Sequence, residues 1–371
     1  MKTLLFTLEY PPFHGGVANY YGSLIKYWPS SAKATAGEPK PDEISVLNNN
    51  DDRLINKKLP LLKWLPAYFV LRQKIKQEKI EHVLVGHILP LGSATYLVSK
   101  TIKIKYTVFL HGMDLSFAII NLRKKWLTGK ILKNADKIIC VNSYVAEMTK
   151  QAFPDTESKI IIVNPGIENN AKPNEQHLAK LKERYNLENK IVLLSVGRLV
   201  KRKGFDTIIE AMPAVLKKMP NLIYIILGDG EEQKNYELQI TNYKLKNEVL
   251  IINNASDQER DLWYNVCDIF IMPSRNINGD FEGFGIVYLE ANLAGKPVIA
   301  GRGGGVGDAV IDGLNGLLVD PEDINQITSA VIKLAEDQSL RQKLGEQGKM
   351  RVIGDFNWPK QINKIYNLFN L

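Results

Sequence analysis

Short apolar runs rich in Val, Ile and Leu alternate with helix-like segments from one end of the chain to the other. Twelve runs have the length and composition of strands: residues 2–6, 44–47, 83–85, 106–110, 138–141, 160–163, 191–196, 222–227, 249–252, 269–272, 297–300 and 316–319. Continuous apolar strands separated by helices are typical of parallel sheets that are covered on both faces. The pattern predicts an α/β protein with two Rossmann-like, doubly wound domains that face each other across a cleft.

The length of 371 residues also favours two domains over one. The polar, turn-rich stretch at 168–176 (ENNAKPNEQ) has the composition of a linker. We therefore predict domains at residues 1–170 and 171–355, and an irregular surface loop around one strand at residues 31–60.

No run of about 18 apolar residues is present, so no membrane span is predicted. The N-terminus begins like a signal peptide, but Glu9 and two prolines interrupt the apolar run, which favours a first buried strand.

Cys140 and Cys267 lie in or beside apolar runs. Two buried thiols suit a reducing, cytoplasmic compartment. No Cys/His cluster has zinc spacing.

The net charge of +8 is unevenly distributed. Residues 1–170 carry 23 Lys and Arg against 14 Asp and Glu (+9), whereas residues 171–371 carry 25 against 26 (−1). A basic half can bind nucleic acid, an anionic membrane surface or a negatively charged acceptor, and solvated lysines on helices explain it equally well. The sequence has no recognisable basic motif with interleaved aromatic residues, so no nucleic-acid partner is predicted.

Two strand ends of the first half carry candidate binding residues. The first strand is followed by Gly15 and Gly16 just before a helix, where bare backbone N–H groups can approach an anion. Simple turn geometry would also explain two glycines. The fourth strand is followed by His111, which is either a ligand for a sugar hydroxyl or phosphate, or a hydrogen-bonded core histidine.

The first strand of the second half is followed by Gly197 and Arg198, and Lys203 precedes the next helix. A guanidinium and an ammonium in one loop would neutralise a diphosphate, although a basic surface loop is the alternative. Lys201 and Arg202, between them, are predicted to face solvent.

The most informative stretch begins at Glu282, continues with Gly283, Phe284 and Gly285, and enters a helix that contains Glu290. Eight helical residues rise roughly 12 Å, which is about the distance from a donor hexose to the ribose of its nucleotide. Glu290 lies among apolar residues, where a carboxylate is seldom buried without a partner. The next strand ends in a loop with five glycines in the seven positions 301–307, which can present N–H groups to a phosphate or sugar, or form a flexible loop.

In this order the motifs resemble glycosyltransferase family 4, the retaining enzymes of the GT-B fold, over the full length of that family. The similarity rests on Gly15-Gly16, His111-Gly112, Gly197-Arg198 with Lys203-Gly204, Glu282 with Glu290, and a tail beginning Phe356-Asn357-Trp358. It implies that residues 356–371 cross back to the N-terminal, acceptor-side domain, and that the C-terminal domain binds the nucleotide sugar. Within the family the Glu282–Ala291 stretch is most similar to the phosphatidylinositol mannoside mannosyltransferases, which implies GDP-mannose as the donor.

The resemblance also implies roles. Gly16 would contact the donor phosphate, Arg198 and Lys203 would stabilise the leaving diphosphate, and His111 would contact the transferred sugar. Glu282 would bind sugar hydroxyls and Glu290 the ribose. The backbone around Asn254 and Ala255 would contact the base, while Asp114 matches an often acidic position without an assigned role. Gly307-Asp308 stands where the family often has Pro-Glu, which bears on the choice of donor sugar.

The resemblance implies a retaining hexosyltransferase that transfers a hexose, with mannose from GDP-mannose preferred, to a lipid-linked or cell-envelope glycan acceptor, and we expect it to be metal-independent. No Asp-x-Asp occurs in the sequence, and no cofactor is expected. The alternatives are a UDP-sugar-dependent relative, a sugar-nucleotide epimerase or glycogen-type phosphorylase of the same fold, and a non-catalytic binding protein. The basic first half, including residues 121–137, suggests a peripheral position on an anionic inner membrane face.

Overall fold

The computed structural model describes residues 1–13, 15–29, 43–56, 58, 62–168 and 173–368. Within these residues the chain forms twelve strands in two six-stranded parallel sheets. It divides into two compact units: residues 1–166 with 358–371 form unit 1, and residues 167–357 form unit 2. The predicted loop at 31–60 and the linker at 168–176 lie partly outside the described residues.

In the first part of unit 1, six strands alternate with helices. Its strands are β1 (Thr3–Phe6), β2 (Ile44–Leu47), β3 (His82–Val85), β4 (Lys105–Leu110), β5 (Lys137–Cys140) and β6 (Ile160–Ile162). Its helices are α1 (Gly16–Lys26), α2 (Leu65–Glu78), α3 (Leu91–Thr101), α4 (Met113–Ile120), α5 (Leu122–Asn134) and α6 (Ser143–Ala152). The strand order is β2-β1-β3-β4-β5-β6. The winding direction therefore reverses between β1 and β3, and this switch point is where ligands bind in open parallel sheets.

Unit 2 repeats the plan. Its strands are β7 (Ile191–Val196), β8 (Leu222–Leu227), β9 (Val249–Ile252), β10 (Ile269–Met272), β11 (Val298–Gly301) and β12 (Gly316–Val319). Its helices are α7 (Glu175–Arg184), α8 (Phe205–Lys218), α9 (Gln233–Asn242), α10 (Asp257–Val266), α11 (Ile286–Leu293), α12 (Val306–Ala309), α13 (Ile324–Glu336) and α14 (Gln338–Asp355). The strand order β12-β11-β10-β7-β8-β9 places the switch point between β7 and β10.

The strands read as unbroken apolar runs because both faces of each sheet are covered by helices. Every residue of β1, β3, β8 and β10 is buried, whereas the edge strand β2 is only partly covered. Both cysteines are buried and free, as the sequence predicts.

The last helix, α15 (Trp358–Asn367), belongs to unit 1. Trp358 packs its ring edge-on against Tyr20 at 5.3 Å, and Tyr366 packs in the same way against Trp28 at 5.8 Å. Ile362 on the same face of the helix is fully buried. The prediction that the C-terminal segment returns to the N-terminal domain is confirmed. Among the described residues, no helix combines the length and the apolar character needed to cross a bilayer.

Candidate active site

The loop after β7 places Lys203 in the middle of the second switch point. It runs from Gly197 through a 3₁₀ turn, Lys201–Lys203, to Gly204 and α8. Gly204 has φ 74°, and a Cβ there would lie 2.2 Å from the carbonyl oxygen of Pro273. Only glycine fits such a position. A Cβ on Gly197 would lie 3.5 Å from Cε of Lys203, so the lysine stem covers this glycine.

Glu282 is held by two cations. Its Oε2 accepts hydrogen bonds from Nζ of Lys203 at 2.6 Å and from Nη1 of Arg202 at 2.9 Å. Nε of Arg202 also lies 3.1 Å from Oδ1 of Asp280. The prediction that Arg202 faces solvent is wrong, because these two carboxylates, 78 and 80 positions further along the chain, draw the guanidinium inwards. Lys201 is exposed, as predicted.

The charge of Glu282 is stabilised in spite of its burial. Its side chain is only 12% exposed. Burial acts to raise the pKa of the carboxyl, but the positive charges and hydrogen bonds of Lys203 and Arg202 outweigh it and hold the pKa below its ordinary value. A buried, ionised carboxylate with two cationic partners is therefore a fixed part of this site.

Glycines shape the backbone around Glu282. Gly285 has φ 82° and precedes α11, and a Cβ there would lie 2.3 Å from the Tyr288 ring. The carbonyl oxygen of Glu282 accepts a hydrogen bond from the Gly305 N–H at 2.9 Å, and a Cβ on Gly304 would lie 2.6 Å from this oxygen. The glycine-rich loop after β11 thus packs directly on the backbone of Glu282.

Glu290 lies at a separate position on α11. Since the helix begins at Ile286, only the part from there to Glu290 is helical, and the 12 Å rise predicted for eight helical residues is wrong. Its Oε2 accepts a hydrogen bond from the Tyr264 hydroxyl of α10 at 2.6 Å. Burial raises the pKa of Glu290, and the opposing effects of Arg260 and the Tyr264 hydrogen bond are smaller.

The remaining unit 2 candidates lie on loops at the same end of the sheet. Arg198 is exposed and makes no ion pair within the described part of the chain. Asn254, with φ 56°, and Ala255 follow β9 and lead to Ser256, whose hydroxyl accepts a hydrogen bond from the Glu259 N–H at the start of α10. Gly283 and Phe284 lie between Glu282 and α11, and Phe284 is buried.

Asp308, which stands where the resembled family often has Glu, lies in α12. Nη2 of Arg351 donates to its carbonyl oxygen at 2.6 Å, and Nη1 of the same arginine donates to that of Ala309 at 2.7 Å. These two hydrogen bonds fix the backbone of the short helix that follows the glycine-rich loop.

His111 in unit 1 is anchored at the end of β4. Its Nε2 lies 2.7 Å from the Tyr21 hydroxyl, which donates to the Gly86 carbonyl at 2.8 Å, so the histidine nitrogen is the donor to Tyr21. Burial lowers the pKa of His111 to about 3. The imidazole is therefore neutral at physiological pH.

Asp114 has a structural role that the sequence does not reveal. Its Oδ1 accepts hydrogen bonds from the N–H groups of His111 and Gly112, at 3.0 and 2.9 Å, and so closes the turn between β4 and α4.

At the other candidate turn of unit 1, no atom of the described residues lies within 4 Å of a Cβ built on Gly16. Gly15 is flanked by Glu9 and Phe13. Gly16 is thus the more open of the two glycines.

The structure brings Lys203 and Glu282 together, with Gly197 beneath the lysine, and gives Glu290 its own partner. Sequence reasoning missed Arg202, Tyr21 and Tyr264. Arg202 adjoins Lys203 in a basic run, which is a weak signal for a second cation. The pairing of Tyr264 with Glu290 joins two helices and has no local sequence signal.

Comparison with known proteins identifies the family. Residues 14–170 match the model of Glycosyltransferase Family 4, and residues 179–351 match that of Glycosyl transferases group 1. A GDP-mannose-dependent alpha-(1-6)-phosphatidylinositol monomannoside mannosyltransferase of Mycolicibacterium smegmatis is 27% identical, with 96% of this chain and 94% of that protein covered. An uncharacterized glycosyltransferase of Methanocaldococcus jannaschii is 30% identical over 82% of this chain and 71% of its own length.

Solved structures support the fold. Anabaena HepE, crystallised in complex with UDP, superposes with a TM-score of 0.80 at 20% identity, and all of both chains is covered. A sucrose-phosphate synthase of Thermosynechococcus elongatus gives a TM-score of 0.77 at 19% identity, covering 100% of this chain and 98% of that one. With two parallel six-stranded sheets and matches in both halves, the chain belongs to glycosyltransferase family 4 and is a glycosyltransferase of the GT-B fold.

Proposed function

We propose that the protein is a retaining, metal-independent hexosyltransferase that transfers mannose from GDP-mannose to a lipid-linked or cell-envelope glycan acceptor. The observation that carries the proposal is the buried contact of Lys203 and Arg202 with Glu282 at the switch point of the second sheet. Relatives named for GDP-mannose-dependent transfer match over 94% or more of their length, which supports the donor.

Lys203 and Arg198 act on the leaving diphosphate. An ammonium group has three N–H donors, and Glu282 accepts only one of them, so two remain for phosphate oxygens. Arg198 is exposed beside the same loop and adds a guanidinium that binds phosphate bidentately. Donors fixed before the charge develops are worth about 3–4 kcal/mol each in comparable sites.

The two carboxylates hold the two ends of the donor. Glu282 is oriented by Lys203 and Arg202 and accepts hydrogen bonds from hydroxyls of the transferred sugar. Glu290, oriented by Tyr264, holds the ribose hydroxyls, and the loop at Asn254 and Ala255 contacts the base through its backbone. In unit 1, Gly16 contacts a donor phosphate and the neutral His111 contacts the transferred sugar near the reacting carbon.

The reaction proceeds with retention and without a metal. The acceptor hydroxyl attacks the anomeric carbon on the face from which the diphosphate leaves, through an oxocarbenium-like ion pair. The glycosidic bond forms as the bond to the phosphate oxygen breaks, the hydroxyl proton passes to that departing oxygen, and Arg198 and Lys203 stabilise the leaving diphosphate. ¹H NMR of the product formed from GDP-mannose and octyl α-mannoside tests both points. We expect an α-linked product formed at an unchanged rate in excess EDTA. A β-linked product contradicts retention, and loss of turnover in EDTA contradicts metal independence.

The donor has a specific alternative, because HepE was crystallised with UDP. Parallel assays with GDP-mannose and UDP-glucose decide between the two donors. If only UDP-glucose is turned over, the donor is UDP-glucose and the proposal of mannose transfer is wrong. Incubation with donor but without acceptor tests the epimerase reading, since an epimerase converts its substrate without an acceptor. Binding of donor without any turnover would indicate a non-catalytic protein.

A membrane position is supported by an apolar and basic surface patch on α4 and α5, within residues 117–130. Its exposed apolar side chains include Leu122, which is 84% exposed, Ile120 and Trp126. Three exposed cations lie in the first turn of α5, next to these apolar side chains: Arg123, Lys124 and Lys125. Large apolar side chains beside clustered cations are typical of surfaces that bind anionic lipid. We place the enzyme on the cytoplasmic face of such a membrane, where its two free cysteines stay reduced.

Liposome flotation tests this position. Wild-type protein should float with vesicles of phosphatidylglycerol and phosphatidylcholine and much less with phosphatidylcholine alone. Leu122→Glu should abolish flotation, whereas Leu238→Glu, at an exposed leucine on α9 of unit 2, should leave it unchanged. Equal flotation with neutral and anionic vesicles would overturn the proposal.

A further inference from the structure

Glu9 and His87 lie at the switch point of the first sheet. Glu9 is in the loop after β1, and His87 follows β3, the strand that pairs with β1 on the side opposite β2. Nε2 of His87 lies 3.7 Å from Oε1 of Glu9. Neither side chain is among the residues of the proposed donor site.

The backbone fixes which nitrogen of His87 faces Glu9. Nδ1 accepts a hydrogen bond from the Leu8 N–H at 3.3 Å, so in the neutral ring the proton is on Nε2. The Thr7 hydroxyl donates to the Glu9 carbonyl at 3.0 Å and holds the same loop. His87 therefore presents an N–H donor, and Glu9 presents a carboxylate acceptor, at one place.

An exposed aromatic ring borders the pair. Phe13 is 55% exposed. Cε1 of Phe13 and Oε2 of Glu9 lie 3.5 and 3.6 Å from the point where a Cβ on Gly15 would be. Because glycine has no side chain, the ring edge and the carboxylate lie together beside its bare backbone.

This combination selects a particular ligand chemistry. A carboxylate accepts hydrogen bonds from hydroxyls, an imidazole N–H donates to them, and an aromatic ring packs on apolar C–H groups. A negative charge at Glu9 repels phosphate oxygens, which disfavours the donor diphosphate at this position. The fitting ligand is an uncharged polyhydroxylated ring.

We propose that Glu9, His87 and Phe13 bind the sugar or cyclitol ring of the acceptor, with Glu9 and His87 on its hydroxyls and Phe13 on its C–H face. This inference rests on the proposed glycosyl transfer. It names three residues of unit 1 that hold the acceptor's ring, and gives the loop after β1 a part in the choice of acceptor.

Steady-state kinetics with GDP-mannose and octyl α-mannoside test the assignment. Glu9→Ala and Phe13→Ala should each raise the KM for octyl α-mannoside at least tenfold, while the KM for GDP-mannose and its slow hydrolysis without acceptor stay within twofold. Glu43→Gln, at an exposed carboxylate of the same unit, is the control and should change neither constant. An unchanged acceptor KM in Glu9→Ala, or an equal rise in both KM values, overturns the proposal.

A ligand-based NMR measurement separates this inference from the proposed function. Saturation transfer to the ring protons of octyl α-mannoside should be strong with wild-type protein and weak with Glu9→Ala. A wild-type protein without transferase activity would refute the proposed function. The same NMR comparison would still show whether Glu9 takes part in binding the mannoside ring. Equal saturation transfer with both proteins refutes the acceptor site.

Discussion

Replacing Glu282 by Gln tests whether the cation pair around it is as tightly coupled as the geometry indicates. The carboxylate accepts two charge-assisted hydrogen bonds, at 2.6 and 2.9 Å, in a buried setting. Hydrogen bonds to charged groups contribute about 1.5–3 kcal/mol each, and breaking a buried ion pair costs about 3–5 kcal/mol. We expect Glu282→Gln to lower the free energy of unfolding of unit 2 by about 3–5 kcal/mol at pH 7. For a domain of about 150–250 residues this lowers Tm by roughly 6–20 °C.

The stabilisation that Glu282 contributes depends on pH. The folded pKa of Glu282 lies below the ordinary value of 4.5. Its stabilising contribution is therefore fully present above pH 4.5 and is lost as the pH falls through the folded pKa, because the unfolded chain binds the proton more readily. Differential scanning calorimetry should show a large Tm difference between wild type and variant at pH 7 and a smaller one at pH 3. Glu231→Gln, at an exposed glutamate of unit 2, is the control. A difference that is absent at pH 7, or equal at both pH values, refutes the reasoning.

Three further predictions concern the other anchored residues. Tyr264→Phe removes the donor at 2.6 Å from Glu290, and should raise the Kd of GDP, measured by calorimetry, about tenfold; an unchanged Kd would show that this hydrogen bond does not orient Glu290 for the nucleotide. The lowered pKa of His111, about 3, means that wild type loses stability as the pH falls below 6.5, since the unfolded chain takes up a proton that the folded chain excludes. His111→Gln should remove about 1–2 kcal/mol of that loss at pH 5 in urea titrations, and identical pH profiles would contradict the assignment. Gly204→Ala should prevent stable folding because its Cβ meets a backbone oxygen at 2.2 Å, whereas Gly16→Ala, with no described atom within 4 Å, should fold normally and bind donor more weakly; circular dichroism with donor titration distinguishes them, and equal stability of both variants would contradict the geometry.

The sequence predicts the scaffold well because the scaffold depends on local composition. The twelve apolar runs predicted as strands correspond to the twelve observed strands. Strand ends shift by one residue in places, as at β5, where the predicted run 138–141 is observed as Lys137–Cys140. The burial of a whole strand leaves a continuous apolar signal that needs no knowledge of distant residues.

The side-chain partners depend on distant parts of the chain and were less predictable. Arg202 turns inwards because Asp280 and Glu282 lie beside the 3₁₀ turn in the folded unit, and nothing local to residues 201–203 encodes that. The spacing of Glu282 and Glu290 also misled the distance estimate, since the left-handed Gly285 delays the start of the helix. In contrast, the types and order of the loop residues sufficed to identify the family.

Binding of the donor at Lys203 tests the central claim most directly. Isothermal calorimetry and thermal shift with GDP-mannose, UDP-glucose and an ADP-sugar should be performed on wild type and on Lys203→Met. We expect GDP-mannose to stabilise wild type by about 2.7 kcal/mol at a concentration of 100 Kd, and we expect Lys203→Met to lose at least tenfold in affinity. If none of the three nucleotide sugars binds, or if Lys203→Met binds GDP-mannose as tightly as wild type, the claim that this loop holds the diphosphate is contradicted.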